Sequence, residues 1–240
     1  MYMSIPKIIH QIWLGPNKRP KIWMDSWEFD YIKQNPDWKY KLWTEKEINE
    51  LKLINRDKYD KEPTYPGKSD IARYEILDQF GGVFIDADSL WIDKPNNSLN
   101  IILNKLNNKI DMFCAVEPVN KWSYANGVIG FSKNNDLLKI IIEFIKKNYD
   151  SRKKKFPAPR QLWQVTGPGI FTSLTKNYND NKKLVLESFY FYPTSFHKNN
   201  LGKNTKEFPK LYPNSIMFQY GYSTNNILND NCMKKFIDSK

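Results

Sequence analysis

The stretch GGVFIDADSLWIDKP, residues 81–95, decides the fold class of this sequence. An apolar run from Val83 to Ile85 predicts a buried strand, and the run stops at two carboxylates, Asp86 and Asp88. Open α/β sheets bind ligands at the carboxyl ends of their strands, so we expect both aspartates at a ligand-binding edge. Paired carboxylates repel each other unless a cation lies between them, and their hard oxygens suit Mg²⁺ or Mn²⁺. The stretch therefore predicts a divalent-metal site beside a diphosphate, although two solvated loop aspartates are the alternative.

The segment before this strand predicts a helix. SDIARYEILDQF, residues 69–80, places apolar side chains near one face, and Ser69 is a suitable capping residue for its start. Asp70 and Arg73 then fall three residues apart on one face of the first turn. A carboxylate and a guanidinium at this spacing suit the binding of sugar hydroxyls, and an exposed ion pair of small energy is the alternative.

Strands and helices alternate along the rest of the chain, which predicts a mixed, mostly parallel sheet covered by helices. Thr44 and Glu47 form a capping-box signature. The strands expected elsewhere are residues 6–15, 38–44, 109–118 and 124–132, and the helices are residues 21–36, 44–54, 137–149 and 170–178, the last with Pro168 in its first turn. We expect the aromatic segments 189–196 and 215–223 to be late strands or loops, and the basic segment 151–160 to be an exposed connection.

Composition bounds the class of protein. A length of 240 residues with 40% hydrophobic and 15% aromatic residues suits a single domain over residues 1–240 with a sizeable core. Two cysteines without metal-ligand spacing indicate neither a disulfide framework nor a zinc site. No signal peptide or membrane span is apparent, so we expect a cytoplasmic protein. A net charge of +11 favours anionic partners, with peripheral membrane contact through a basic surface among them.

Five stretches in this order carry a resemblance to a known family: IPKIIHQIWLG, then residues 69–95, then NGVIGFS, TGPGIF and FYFYP. Together they resemble the DxD sugar transferases of glycosyltransferase family 32, which are related to α-mannosyl- and α-galactosyltransferases and to the glucosylating domains of large bacterial toxins. The resemblance implies a GT-A fold, with one Rossmann-like domain, and transfer of a hexose or N-acetylhexosamine with retention of configuration. It also implies a nucleotide-sugar donor, UDP-linked in preference to GDP-linked, with Mn²⁺ or Mg²⁺ as cofactor and a glycan, glycolipid or protein as acceptor.

The resemblance also implies roles for individual residues. Asp88 is the direct metal ligand and Asp86 faces the metal and the ribose. The other implied contacts are Trp13 stacking on the nucleobase, Ser69 near the nucleotide, Asp70 and Arg73 holding the donor hexose, Asn126 approaching the donor sugar, and Glu117 at a strand end on the acceptor side.

Two positions depart from the family pattern. Phe84 stands where many relatives have a tyrosine, so a hydroxyl is lost. The family often closes over the diphosphate with a histidine and a Ser-Trp pair, but this chain has FQYGYSTNN, residues 218–226. Gln219 is the stand-in for the remaining metal ligand, and Ser223 is the stand-in for the closing contact to the nucleotide.

Two other function classes stay open from sequence alone. The strand and DxD also resemble haloacid-dehalogenase-type phosphatases, with Asp86 as nucleophile and Asp88 as acid. A basic nucleic-acid-binding module rests on the net charge and the aromatic content, and no interleaved basic and aromatic motif supports it, so we expect no nucleic-acid partner. His10 is better explained as a core histidine and His197 as a loop residue than as catalytic groups, because neither has a partner at metal-ligand spacing.

Overall fold

The computed structural model describes residues 4–107, 109–194 and 204–221. Its strands form a six-stranded sheet and a two-stranded sheet. The eight strands are β1 Ile8–Ile12, β2 Lys39–Trp43, β3 Gly82–Ile85, β4 Ser89–Trp91, β5 Met112–Val116, β6 Tyr124–Phe131, β7 Lys183–Leu186 and β8 Met217–Gln219.

The large sheet has the strand order β2-β1-β3-β6-β5-β7. β1 pairs in parallel with both β2 and β3, and β5 pairs in parallel with β7. β6 runs antiparallel to its two neighbours, β3 and β5. Five strands therefore point in one direction, so their carboxyl ends meet at one edge, and the predicted mixed, mostly parallel sheet is confirmed.

The helices lie between and around the strands. A continuous helical segment contains α1 Lys21–Asp25, a π-helical stretch Ser26–Tyr31 and α2 Ile32–Gln34. The other α-helices are α3 Glu45–Glu50, α4 Arg56–Lys61, α5 Tyr65–Phe80, α6 Asn100–Leu103, α7 Asp136–Lys155, α8 Pro168–Lys176 and α9 Phe208–Leu211. Short 3₁₀ segments are Pro159–Gln164, Asp180–Lys182, Ser188–Tyr190 and Thr205–Glu207. Within the described residues, none of the helices combines the length and the apolar character that crossing a membrane demands.

The sheet divides the core into two layers, because alternate side chains of each strand point to opposite faces. Phe84 of β3 faces one layer together with apolar side chains of α5, α7 and α8. Val83 and Ile85 face the other layer, which contains Trp27 and Tyr31 of the segment from α1 to α2. A strand buried on both faces explains the unbroken apolar run before the two aspartates.

The start of α5 differs from the expectation. The helix begins at Tyr65, and the Thr64 hydroxyl caps it by accepting a hydrogen bond from the backbone nitrogen of Gly67 at 3.2 Å. Thr64 with Pro66 in the first turn is the stronger start signal, because proline is preorganised there. The prediction that Ser69 caps this helix is wrong, and Asp70 and Arg73 lie beyond the first turn.

The end of α7 also differs. The basic run predicted as part of an exposed connection is helical as far as Lys155. Positive side chains stabilise the carboxyl end of a helix, and two of them also make tertiary contacts. Arg152 donates from Nε to the carbonyl of Gln164 at 2.6 Å, and Lys153 Nζ lies 2.8 Å from the buried Glu62 carboxylate. The basic run is therefore partly engaged within the protein.

Several other expectations can be compared with the structure. The capping box is confirmed, because the Thr44 backbone nitrogen donates to Glu47 Oε2 at 2.9 Å. α8 begins at Pro168, as predicted. β7 has no counterpart in the prediction, and the described part of residues 189–196 forms the end of a 3₁₀ segment and a turn instead of a strand.

Candidate active site

The aspartates of the DxD stretch lie where β3 leaves the sheet. The backbone nitrogen of Asp86 extends the ladder by donating to the carbonyl of Gly127 on β6 at 2.8 Å. Gly127 also leaves room for the carboxylate, since a Cβ there would lie 2.4 Å from Asp86 Oδ2. Gln11 on β1 donates from Nε2 to the Asp86 carbonyl at 3.3 Å. Contacts from two neighbouring strands thus fix the first aspartate at the carboxyl edge.

Gln219 joins the two carboxylates. It is the last residue of β8, which pairs antiparallel with β4 so that Gln219 lies opposite Ser89. Its Nε2 donates to Asp86 Oδ2 at 3.1 Å and to Asp88 Oδ1 at 3.2 Å. Its Oε1 is buried and has no hydrogen-bond partner in the part of the chain that the structure describes. The side chain expected as a stand-in therefore lies against both aspartates.

This donor set fits a divalent cation. One oxygen of each aspartate lies within 3.2 Å of the same Gln219 nitrogen, so the two carboxylates converge on one point. Rotation of the amide by about 180° exchanges its nitrogen and oxygen and turns Oε1 towards that point. Carboxylate and amide oxygens are ligands that Mg²⁺ and Mn²⁺ prefer. The described ranges contain no group of three or more His, Cys, Asp or Glu side chains suited to a metal.

Arg73 is a buried cation beside the first aspartate. Its Nη2 lies 3.2 Å from Asp86 Oδ1 and 3.4 Å from Asp70 Oδ1, and its Nη1 donates to the Asn126 carbonyl at 2.6 Å. The guanidinium also lies over the Phe84 ring, 4.2 Å from the centroid. Burial acts to lower the pKa of Arg73, but the two carboxylates outweigh it and raise the pKa above its ordinary value. Arg73 therefore keeps its charge at every physiological pH.

Asp70 is the second buried acid of this cluster. Its Oδ1 accepts a hydrogen bond from Asn126 Nδ2 at 2.9 Å, and its Oδ2 accepts one from the Thr166 hydroxyl at 3.1 Å. Asn126 Nδ2 also donates to the Tyr74 hydroxyl at 3.0 Å. Burial raises the pKa of Asp70 to about 6, although the charge of Arg73 acts in the opposite direction. Helix α5, strand β6 and the turn before α8 thus hold one polar cluster.

Two residues assigned to the nucleotide lie near this cluster or at the same edge. The Ser69 hydroxyl accepts a hydrogen bond from Arg73 Nη2 at 3.3 Å, so Ser69 is adjacent to the cluster even though it does not start the helix. Trp13 directly follows β1, and its Nε1 donates to the carbonyl of Asn17 at 2.8 Å. Because β1 neighbours β3 in parallel, Trp13 lies at the carboxyl edge of the sheet.

Glu117 directly follows β5 at the same edge. Burial raises the pKa of Glu117 to about 7, and the charge of Asp86 adds to this effect. Tyr192, from the FYFYP stretch, is buried, and its pKa is raised first by burial and then by the charges of Asp86 and Glu117. Glu117, the acid expected on the acceptor side, is thus close enough to Asp86 for the charge of Asp86 to raise its pKa.

His10 has its hydrogen-bond partners in the core of the sheet. His10 is buried in β1, donates from Nε2 to the Gly81 carbonyl at 2.8 Å, and accepts at Nδ1 from Trp43 Nε1 at 3.1 Å. Both ring nitrogens are satisfied, which confirms the interpretation as a core histidine. His197 and Ser223 lie outside the described residues.

Sequence reasoning missed three contributors to the site. Gln11, Gly127 and Thr166 all belong to stretches that carry the resemblance, IPKIIHQIWLG, NGVIGFS and TGPGIF, but the resemblance implies roles only for Trp13 and Asn126 in these stretches. Thr166 precedes Gly167 and Pro168, and its partner Asp70 is 96 residues away, so no local pattern marks this contact.

Comparison with known proteins finds similarity to glycosyltransferases. Residues 20–107 match the family model described as a glycosyltransferase sugar-binding region containing the DXD motif. The chain is 27% identical over 203 residues to the uncharacterized glycosyltransferase L373 of Acanthamoeba polyphaga mimivirus, covering 80% of this chain and 75% of that protein. It is 30% identical over 139 residues to inositol phosphoceramide mannosyltransferase 3 of Schizosaccharomyces pombe, covering 56% of this chain and 35% of that protein.

A solved structure supports the architecture. The crystal structure of a glycosyltransferase involved in the glycosylation of the major capsid of PBCV-1 aligns with 96% of this chain and 97% of its own, with a TM-score of 0.54 and 11% sequence identity. This likeness concerns the fold. The predicted GT-A architecture and the predicted resemblance to the DxD sugar transferases are confirmed.

Proposed function

We propose that this glycosyltransferase transfers a hexose or N-acetylhexosamine from a nucleotide-sugar donor to a glycan, glycolipid or protein acceptor, with retention of configuration. The observation that supports this most is the convergence of Asp86 and Asp88 on Gln219, beside the buried pair Asp70 and Arg73. The family match favours transfer over the phosphatase and nucleic-acid-binding alternatives.

The residues around the DxD motif have separate proposed roles in metal binding and in positioning. Asp86 and Asp88, with Gln219, would hold Mn²⁺ or Mg²⁺, and a bound divalent cation neutralises the charge that develops on a departing nucleoside diphosphate. Arg73 fixes the orientation of Asp86 through the contact of 3.2 Å. Because Arg73 is already paired with two carboxylates, its role is to position them and the Asn126 carbonyl.

Asp70 is suited to bind the donor sugar. Two donors, from Asn126 and Thr166, hold its carboxylate, and above pH 6 the ionised oxygens accept hydrogen bonds from sugar hydroxyls. Fixed acceptors orient the sugar without further reorganisation when the glycosidic bond loosens. Trp13, Ser69 and Ser223 remain proposed contacts to the nucleotide.

Retention is compatible with two routes. In one, the acceptor hydroxyl attacks from the face that the diphosphate leaves, and the departing phosphate oxygen takes its proton. In the other, a side-chain carboxylate first displaces the nucleoside diphosphate from the anomeric carbon. The acceptor hydroxyl then loses its proton to a base, such as the diphosphate, and displaces the carboxylate. Both give the same anomer, so proton NMR of the product tests retention itself.

The donor and the acceptor can be identified with a panel of candidate substrates. We favour a UDP-sugar, and the similarity to an inositol phosphoceramide mannosyltransferase brings GDP-mannose and a glycolipid acceptor into the panel. The chain spans about a third of that relative, 35%, so its substrates are proposals here.

The test is hydrolysis or transfer of UDP-hexoses, UDP-N-acetylhexosamines and GDP-mannose with Mn²⁺, Mg²⁺ or chelator. We expect one donor to be turned over only with a divalent cation, and Asp88→Asn to reduce turnover about 10²- to 10³-fold. Asp57→Asn is the matched control, because its carboxylate is exposed on α4 and pairs with Lys58 at 3.1 Å. Metal-independent turnover, or an active Asp88→Asn variant, would contradict the proposal.

A further inference from the structure

The exposed tryptophans of the described chain lie on segments that border the polar cluster. Trp122 is 79% exposed and Trp163 is 49% exposed. Trp13 is half-buried, and the remaining tryptophans are core residues: Trp23, Trp27, Trp38, Trp43 and Trp91. A single exposed apolar side chain needs no explanation, but two indoles beside a candidate site suggest a ligand that covers them.

Trp163 lies beside the glycine that borders the donor-binding acid. A Cβ added at Gly167 would lie 2.9 Å from the backbone Cα of Trp163 and 3.1 Å from Asp70 Oδ2, so the Trp163 backbone and the Asp70 carboxylate both border this glycine. The indole is also held in place, because a Cβ at Gly169 would lie 2.9 Å from Trp163 Cε3. The ring therefore lies against the first turn of α8 while about half of the residue stays open to solvent.

Trp122 lies on a hairpin between β5 and β6 that is fixed by its own hydrogen bonds. Asn120 Oδ1 accepts from the Trp122 backbone nitrogen at 3.1 Å, and Asn120 Nδ2 donates to the Ser123 hydroxyl at 3.0 Å. The Glu117 backbone nitrogen donates to the Ser123 carbonyl at 2.8 Å and closes the loop. The hairpin thus presents Trp122 from a defined backbone at the carboxyl end of β5.

The same helix supports both segments. The Thr172 hydroxyl of α8 accepts a hydrogen bond from the Tyr124 backbone nitrogen at 2.8 Å, directly after the hairpin. The first turn of α8 carries Gly169, on which the Trp163 ring lies. Helix α8 therefore contacts both the residue that follows the Trp122 hairpin and the Trp163 ring.

We propose that Trp122 and Trp163 form a subsite for the acceptor, in which the indoles stack on the apolar faces of pyranose rings. The proposal rests on the proposed function and narrows the acceptor to a molecule that presents sugar rings. The C–H face of a pyranose carries a partial positive charge, which complements the negative face of an aromatic ring. Rigid aromatic side chains also lose little conformational entropy on binding.

A lipid surface is the competing partner for the hairpin. Val119 is exposed beside Lys121 and Trp122, and such a combination suits a membrane interface. Trp163 favours the sugar, because its backbone borders Gly167, the glycine that also borders the Asp70 carboxylate. A glycolipid headgroup and a free oligosaccharide offer the same ring, and the two arms of the experiment distinguish these sources.

The binding test uses maltotriose, mannotriose and a galactose-containing trisaccharide in saturation-transfer NMR with the full chain. We expect ring C–H protons of at least one trisaccharide to receive saturation from the wild type. Trp163→Ala and Trp122→Ala should each weaken this signal roughly fivefold. Phe29→Ala is the matched control, because Phe29 is an exposed aromatic on the helical segment before β2. Thermal unfolding of every variant checks that it folds.

Three results would overturn the subsite. They are no saturation of any trisaccharide by the wild type, wild-type signals in both tryptophan variants, or a Trp122→Ala variant that loses binding to anionic vesicles while it keeps the trisaccharide signal. The lipid arm repeats the measurement with the same sugar on a glycolipid in phosphatidylcholine vesicles. If saturation transfer is seen only with the glycolipid, and is lost in the tryptophan variants, the sugar that binds the subsite is a glycolipid headgroup.

Donor hydrolysis, measured separately, distinguishes this proposal from the proposed function. A protein that hydrolyses a donor but binds no sugar through its tryptophans would keep the proposed function and lose the subsite. A protein that binds a trisaccharide through both tryptophans but turns over no donor would keep the subsite and lose the proposed function. In an active protein, we expect the ratio of transfer to hydrolysis to fall about fivefold in each tryptophan variant.

Discussion

One nitrogen of Gln219 donates to both carboxylates of the DxD motif, at 3.1 Å to Asp86 and at 3.2 Å to Asp88. The contact joins β8, the last described strand, to the end of β3. The same side chain has its other polar atom, Oε1, buried without a hydrogen-bond partner among the described residues. Gln219 is therefore the residue whose replacement tests the proposed metal site most directly.

Replacing Gln219 with glutamate should lower the stability of the metal-free protein and raise its affinity for a divalent metal. Three converging carboxylates repel one another, so we expect Gln219→Glu to lower the free energy of unfolding by about 1–2 kcal/mol in chelator. With Mn²⁺ the third carboxylate becomes a ligand, so the rise in Tm on adding metal should exceed that of the wild type. Gln219→Ala is the control, and a smaller metal-induced rise in Gln219→Glu than in the wild type would argue against a cation at this point.

Two glycines of β6 should give opposite phenotypes. Gly127→Ala places a methyl group 2.4 Å from Asp86 Oδ2, the mobile end of a side chain, so the carboxylate must move. We expect turnover and metal affinity to fall roughly tenfold or more with little loss of stability. Gly130→Ala places its methyl group 2.1 Å from the Phe113 ring in the core, and should cost about 1–3 kcal/mol of unfolding free energy. Urea denaturation and activity assays of both variants test the contrast, and an equally active Gly127→Ala variant would contradict it.

Removal of the buried cation should destabilise the fold. Arg73→Met leaves Asp70 and Asp86 without their positive partner, and breaking a buried ion pair costs about 3–5 kcal/mol. Lys147→Met is the matched control, because Lys147 pairs with Glu143 on the exposed face of α7 and such a pair contributes about 0.3–0.5 kcal/mol. Urea denaturation measures both, and similar losses in the two variants would show that Arg73 is not the electrostatic centre of the site.

Acid pH should weaken the fold through His10. Its Nε2–H donates to Gly81 and its Nδ1 accepts from Trp43, so the ring is neutral, and burial lowers the pKa of His10 from 6.5 to about 4. Below pH 6.5 His10 binds a proton in the unfolded chain but stays neutral in the folded chain. The free energy of unfolding therefore falls as the pH decreases from 6.5 to 4. One such group contributes a slope of at most about 1.4 kcal/mol per pH unit.

The test compares urea denaturation of the wild type and His10→Gln over this pH range. The variant lacks the titrating ring, so its stability should depend less on pH between 4 and 6.5. Any other groups that titrate there are common to both proteins and cancel in the difference. Equal slopes would show that His10 is not held neutral by the fold.

Much of the secondary structure could be predicted, because local patterns specify it. The buried run before the DxD motif, the capping box at Thr44 and Glu47 and the proline at the start of α8 each depend on neighbouring residues. The start of α5 was misplaced because two cap signals compete within six residues, and Thr64 prevails over Ser69. β7 was missed because a short strand carries a weak signal until β5 supplies its partner.

The candidate site was predictable where a local pattern or the family pattern names its residues. Asp70, Arg73 and Asn126 contact one another, and Arg73 also contacts Asp86. The residues that support them were not predicted. Gln11 donates to the Asp86 carbonyl, the Thr166 hydroxyl donates to Asp70, and Gly127 leaves room for the Asp86 carboxylate because it has no side chain. None of these contributions has a pattern in the sequence, because each depends on a partner far along the chain.

The sequence by itself determined that a buried strand of a mostly parallel sheet ends in two carboxylates, since an apolar run and its abrupt end are local properties. The tertiary structure alone decided what lies against those carboxylates. Gln219 and Asp86 are separated by 133 residues, and only the pairing of β8 with β4 brings the amide to the motif. Likewise, burial of Asp70 beside Arg73 sets its pKa near 6, because the desolvation that raises the pKa arises from packing and not from the order of residues.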